Sequence, residues 1–326
     1  MKRVVVATVL IMLALELLLT IPLMLLTPIG PTILGSLNPT PTPTPQPVLS
    51  ASGQTPPTLK SPVSYLLDAD TNDVLDNVRG NERLPVASTT KIMTAVIALE
   101  KSQPDQIVTV KDDAVKEVKD NFGSTADLKA GDKVRMIDLL YGLLLPSGDD
   151  AAIAIADTIS GSPANFVKVM NTYAHKLHLN NTHYINPDGL TYYTGTDKKP
   201  DPNEYSTAAD LAQLTRYALR NPIFAQIVQI QHYHLPATAD HGAYNWDTTD
   251  DLLQAYPGTI GVKTGFTLEA GSCLVFAAKN ARHTLIGVLL QGKDKNDRFT
   301  DAPQLLDWGF NLPLKAPTPT PTPIQK

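Results

Sequence analysis

In the run Ser88-Thr89-Thr90-Lys91 a hydroxyl and an amine stand three residues apart, which on a helix places both on one face within hydrogen-bonding reach. A serine hydroxyl is a weak nucleophile until a base takes its proton, and a partly desolvated lysine can be that base. If the run opens a helix, backbone N–H groups also face any oxyanion formed beside Ser88. The chemistry on offer is acyl transfer through a serine ester. Taken alone, S-x-x-K is a weak signal, and a serine that only caps a helix is the commoner reading of it.

Two further clusters share this character. Ser147-Gly148-Asp149 falls in a break between two helical patterns, and Lys263-Thr264-Gly265 ends a strand pattern; the steps from Ser88 are about 60 and then about 115 residues. Other reactive residue types read more plainly. His175 and His178 share a helix and His232 and His234 alternate on a strand, but there is no H-E-x-x-H, so they read as exposed or locally bonded and no metal is expected. The single cysteine, Cys273, excludes an intrachain disulfide and reads as a small buried residue. Tyr192 and Tyr193 read as packing residues of a polar loop, and Asp150 as an acid favoured by a helix N-terminus. The net charge of −5 argues against a nucleic-acid partner.

Apolar periodicity supplies the elements that position these groups. Tyr65–Leu67 and Val74–Leu75 flank a polar turn and read as a hairpin. A helix is expected from about Thr89 to Leu99, another over Met136–Leu145 stopped by Pro146, and a third from Asp149. Ser162-Pro163 reads as an N-cap followed by proline at the first helical position, and Tyr205–Leu219 as a further helix capped by Ser206. Ile260–Thr264, Cys273–Ala278 and Thr284–Leu290 read as strands, and Asp297–Phe310 as a closing helix. This order implies a sheet built from both ends of the chain around a helical insertion.

The 27 prolines cluster towards the ends. Val4–Leu26 carries only Glu16 as a charge, and as a helix it would span about 35 Å, enough for a hydrocarbon core of about 30 Å. With Lys2 and Arg3 before it and no small-residue cleavage pattern after it, it reads as an uncleaved membrane anchor, in preference to a removed signal, with everything following exported. The expected layout is anchor or signal over 1–27, a Pro/Thr-rich linker over 28–59, a catalytic domain over 60–314 and a Pro/Thr-rich tail over 315–326. Setting the ends aside removes four positive charges and one negative, so the body is more acidic than the whole chain.

The three clusters in this order, with Leu84-Pro85-Val86-Ala87 before Ser88, Asn186-Pro187-Asp188-Gly189-Leu190 between, and Phe266-Thr267 after Gly265, resemble the boxes of the penicillin-binding serine acyltransferases. Within that superfamily the chain resembles the low-molecular-mass D-alanyl-D-alanine carboxypeptidases from about Ser64 to Phe310. The resemblance implies an α/β fold of α+β type, β-lactamase/transpeptidase-like, with a central antiparallel sheet flanked by helices and an all-helical subdomain. It implies Ser88 as nucleophile, Lys91 as its base and Ser147 as a proton relay to the leaving amine. Lys263 and Thr264 would hold the substrate carboxylate beside Gly265, and the backbone N–H groups of Ser88 and Phe266 would form the oxyanion hole. The implied partners are a peptidoglycan stem peptide and β-lactam antibiotics, with no cofactor.

Asp149 departs from the family, which usually has asparagine there. An ionised carboxylate among two lysines would hold a proton on the base and repel the substrate carboxylate; a protonated or averted one would leave activity intact. Two alternatives follow: a β-lactamase of the same superfamily, for which no Glu-x-x-Leu-Asn loop is found, and a catalytically silent, penicillin-sensing wall-binding protein.

Overall fold

The computed structural model describes residues 47–196 and 198–316, whose compact unit runs from Val48 to Lys315. The apolar run Val4–Leu26 and the tracts Pro39–Pro45 and Pro317–Pro323 lie outside the described residues. Among the described residues no helix is long and apolar enough to cross a membrane.

Five strands form the central sheet: β1 (Val63–Asp68), β2 (Val74–Val78), β3 (Thr259–Thr267), β4 (Gly271–Lys279) and β5 (Thr284–Gly292). Their order is β3-β4-β5-β1-β2 with every pairing antiparallel. β1 lies beside β5 with Leu285 opposite Asp68 and Leu290 opposite Val63, so the sheet is closed by strands from the two ends of the body, as expected. Both faces of its middle are apolar because successive side chains alternate between them. Val63, Tyr65 and Leu67 of β1 and Ile286, Val288 and Leu290 of β5 join one core, whereas Leu66, Leu285 and Leu289 join the other.

Helices cover both faces. α1 (Lys91–Lys101), α2 (Asp112–Asn121), α3 (Met136–Leu144), α4 (Asp149–Ser160) and α5 (Pro163–Lys176) form the helical insertion, followed by α6 (Ala208–Ala218) on the sheet. α7 (Asp297–Phe310) covers the opposite face with Leu305 and Leu306. α1 is buried from Lys91 through Ala98 and packs on α3, α4 and α6, which makes it the axle between sheet and helices.

Several local details differ from expectation. Ala87–Thr90 is a 3₁₀ turn and the α-helix starts only at Lys91, because the Thr89 amide and hydroxyl both donate to Val86 O and tighten the entry. α6 is capped by Thr207, whose Oγ1 accepts from Asp210 N at 3.0 Å; Ser206 is occupied by a bridge to Leu84. Ser162 does cap α5, accepting from Asn165 N. The inner ends of the expected linker and tail are paired: Val48–Leu49 lies antiparallel to Leu314–Lys315. Burial of Leu49, 3% exposed, in the core under α7 explains that pairing.

Candidate active site

Ser88 sits on the 3₁₀ turn ahead of α1, and Lys91 opens α1. The lysine is fully buried and its Nζ donates to Ser88 Oγ at 2.9 Å, to Asp149 Oδ1 at 2.5 Å and to the backbone oxygen of Asp188 at 2.8 Å. Three acceptors match the three donors of a lysine side chain, and the nucleophile is one of them. The same amine, once short of a proton, is the nearest acceptor for the Ser88 hydroxyl.

Backbone strain marks the same place. Ala87 and Ser147 have φ of +49° and +68°, a left-handed conformation that costs a β-carbon-bearing residue about 1–2 kcal/mol. At Ala87 it turns the chain into the Ser88 turn. Gly189, at φ +85°, packs so closely beneath that turn that a Cβ would lie 2.0 Å from Ala87 O. Asn186 fixes the Gly189 loop from both sides, accepting from Gly189 N at 2.6 Å and donating to Leu190 O at 2.7 Å. Thr94 Oγ1 ties the loop to α1 through Pro187 O at 2.6 Å.

β3 brings the third cluster to the turn. A Cβ on Gly265 would lie 3.1 Å from the Ser88 nitrogen and 3.0 Å from Val86 O, so a larger residue would push strand and turn apart by a few tenths of an ångström. Lys263 is 1% exposed, and its Nζ donates to Thr264 O at 2.9 Å. Burial, reinforced by the charges of Lys91 and Arg298, holds the Lys263 ammonium well below its ordinary range, which runs against a permanently cationic Lys263. Thr264 Oγ1 bonds Thr249 Oγ1 at 2.6 Å. Arg298 braces the strand from α7, donating to Gly265 O at 3.0 Å and Cys273 O at 3.1 Å. The Phe266 ring is exposed beneath Lys295, whose Nζ is 4.4 Å from its centroid.

The second cluster stands differently. Ser147 is buried, but its Oγ makes no hydrogen bond among the described residues, so no relay to Lys91 or Lys263 is preformed. Asp149 is 1% exposed and faces Lys91, while its Oδ2 finds no partner among the described residues and packs on Gly123, where a Cβ would lie 2.1 Å away. Burial raises the Asp149 carboxyl's pKa and the Lys91 charge opposes that rise. Asp150 is structural: its carboxylate accepts from the amides of Ala126, Leu128 and Ala151.

Sequence reasoning assigned no role to Asp188 or Glu204. Burial, with the neighbouring Asp149, pushes the Asp188 carboxyl up to about 8, against the pull of Lys91. Glu204, held by Ile185 N at 2.6 Å, is pushed up to about 8 by burial. The Asp-Gly turn chemistry was the available signal for the first. His283 was also unremarked. It meets Asp68 and Asp70 with potential ligand atoms within 4.8 Å, but His283 Nδ1 bonds Asp68 Oδ2 at 2.9 Å and Asp70 Oδ2 accepts from Thr284 N at 2.8 Å. His232 and His234 are exposed and bonded to Asp247 and Asn245 across their hairpin.

Known proteins resemble this chain in sequence and fold. Residues 50–294 match the model of the D-alanyl-D-alanine carboxypeptidase family, Peptidase S11. The D-alanyl-D-alanine carboxypeptidase of Streptomyces sp. strain K15 is 37% identical over 274 residues, covering 80% of this chain and 91% of its own. DacF of Bacillus subtilis is 33% identical over 249 residues, 76% of this chain and 61% of its own. The Streptomyces K15 DD-transpeptidase crystal structure superposes with a TM-score of 0.73 at 36% identity, over 79% of this chain and all of that one. Penicillin binding protein 6B from Escherichia coli does so with a TM-score of 0.69 at 32% identity, over 79% of each chain. A family model matched over most of the body, relatives more than 30% identical and solved structures that superpose across it agree: the chain belongs to the D-alanyl-D-alanine carboxypeptidase family of serine peptidases and has its β-lactamase-like fold.

Proposed function

We propose that the chain removes the terminal D-alanine of peptidoglycan stem pentapeptides and that penicillin inhibits it by acylating Ser88. The observation that carries the reading is the 2.9 Å contact between the buried Lys91 amine and Ser88 Oγ. Lys91, when neutral, takes the Ser88 proton as Oγ bonds the carbonyl carbon between the two D-alanines, and the oxyanion is met by the N–H groups of Ser88 and Phe266. The proton passes through Ser147 to the leaving nitrogen, the C–N bond breaks and D-alanine departs. Water then gives a proton to the neutral Lys91 and bonds the acyl carbon, and Lys91 passes that proton to Ser88 Oγ as the ester C–O bond breaks, which frees the shortened peptide and restores both the neutral amine and the hydroxyl. Lys263 and Thr264 receive the terminal carboxylate. Burial disfavours the lone Lys263 ammonium, so an arriving carboxylate restores its charge and is recognised by that ion pairing.

Family action on peptidoglycan places the enzyme outside the cytoplasm, and we assign tethering there to Val4–Leu26. One observation favours a second reading, a penicillin-sensing wall protein with little turnover: Asp149 Oδ1 lies 2.5 Å from Lys91 Nζ and competes with Ser88 for it. Incubation with benzylpenicillin followed by intact-mass analysis, alongside D-alanine release from a stem pentapeptide, tests both. A single adduct lost in Ser88→Ala, with D-alanine released, is the expected result. An adduct without release leaves the sensing reading, and no adduct overturns the acylation mechanism.

A further inference from the structure

Two buried carboxyl groups converge behind the Lys91 amine. Asp149 gives Lys91 Nζ its Oδ1 at 2.5 Å, and Asp188 gives the same nitrogen its backbone oxygen at 2.8 Å. The Asp188 side chain turns back into its own loop, where Oδ1 accepts from Leu190 N at 2.9 Å. That leaves Asp149 Oδ2 and Asp188 Oδ2, both buried and both without a hydrogen-bond donor among the described residues. A carboxylate oxygen kept from water and given no donor is costly. Two such oxygens, on residues that meet at one nitrogen, point to a common remedy.

Charge leads to the same place. The groups that face the pair are Lys91 on α1, Lys263 on β3, Glu117 on α2, and Tyr192 and Glu204 from the segment between α5 and α6. Burial disfavours the Lys263 ammonium and keeps the Tyr192 phenol protonated, its OH donating to Glu117 Oε1 at 3.0 Å. Burial also raises Glu117 and Glu204. A fully ionised pair would therefore set two negative charges against the single charge that Lys91 can offer, and two carboxylates sharing a site do not both ionise readily. Asp149 has the amine as its partner; the Asp188 side chain has only an amide. Burial and the Asp149 charge raise the Asp188 carboxyl to about 8, so Asp188 is the member that keeps a proton at neutral pH.

We infer that Asp149 and Asp188 hold one proton between them, carried by Asp188 and offered to Asp149 Oδ2, and that Asp188 is thereby a positioning residue for acylation: it draws charge from the carboxylate that competes with Ser88 for Lys91. A purely structural Asp188, shaping its turn through Leu190 N, would need no proton at all. When the proton leaves, full charge returns to Asp149, Lys91 is held more firmly away from Ser88 Oγ, and acylation slows as pH rises through about 8. The inference rests on the acylation mechanism for the part Lys91 plays, but not for the proton itself.

The test follows isotope-labelled aspartate carboxyls of the full chain by carbon NMR across pH, beside rates of penicillin acylation. Asp188→Asn keeps an acceptor for Leu190 N and a donor for Asp149 Oδ2 but has no proton to lose. One aspartate signal titrating near pH 8 is expected in the parent and is absent in Asp188→Asn. In Asp149→Asn it moves down by at least about one pH unit, the coupling at which two groups titrate as a pair. Parent acylation falls about tenfold where the proton is lost, and in Asp188→Asn that fall is gone. A signal unmoved by Asp149→Asn, or a parent in which no aspartate titrates above neutrality, overturns the shared proton; should Asp188→Asn fail to fold, the Asp149→Asn titration decides. A shared proton that leaves the acylation profile flat overturns the positioning role. Absence of any penicillin adduct overturns the acylation mechanism instead, and the titration still reads the proton.

Discussion

Replacing Asp149 by asparagine removes the charge that pins the Lys91 ammonium and keeps nearly the same shape. The two groups are 2.5 Å apart and at most 1% exposed. At an effective dielectric of about 20 their attraction is on the order of 6 kcal/mol, and the cost of keeping the Asp149 carboxylate out of water offsets much of it. A surviving share of about 1.4 kcal/mol is already worth about tenfold in the acylation rate. The expected outcome for Asp149→Asn is penicillin acylation at least about tenfold faster at neutral pH, with the rising limb of rate against pH moved to lower pH. Stopped-flow or quenched labelling across pH measures both, and D-alanine release shows whether turnover follows. Acylation no faster than in the parent, with an unmoved pH profile and a cooperative thermal melt, would refute the idea that Asp149 restrains the base.

Glu204 is raised by burial from the ordinary glutamate value of 4.5 to about 8, so the folded chain binds a proton there that the unfolded chain releases. Its contribution to stability is complete below about 4.5 and is lost as pH climbs to about 8, at about 1.4 kcal/mol per unit; denaturant melts of Glu204→Gln should show a gain of a few kcal/mol over the parent at pH 8 and little difference at pH 4. Gly189→Ala forces a Cβ to 2.0 Å from Ala87 O and should slow acylation and cost more than the strain of about 1–3 kcal/mol for a left-handed residue. Gly131→Ala, with φ +92° and nothing within 4 Å, should cost only that backbone strain and leave acylation intact, a contrast read by melts and labelling together.

The main architecture was legible because it rests on periodicity. The strands at Cys273–Ala278 and Thr284–Leu290 declared themselves as near-continuous apolar runs and the closing helix by helical apolar spacing, and the structure extends the strands by only one or two residues at an end. α2 escaped because it buries only Ala114, and its short apolar face, Ala114, Val115 and Val118, is embedded in a highly charged run. The family boxes marked Ser88, Lys91 and Lys263, whose mutual distances depend on turns that motifs anticipate. What stayed hidden depends on contacts far apart in sequence: the Asp188 oxygen on Lys91, separated by 97 residues, and the Arg298 clamp on Gly265, separated by 33. The partner of Asp149 among two candidate lysines was likewise fixed only in three dimensions.

The pairing of β1 with β5 has a consequence for biogenesis. The hairpin that ends at Val78 leaves its outer neighbour unmade until residues 284–292 have emerged, more than 200 residues later by the numbering. Closing so long a loop is slow, since non-local strand pairing sets folding speed. Until then the first hairpin presents an unpaired edge that invites association with other chains. An exported chain threaded across a membrane before it folds meets this problem on the far side, where the whole polypeptide arrives in order and the sheet can be zipped in one final step.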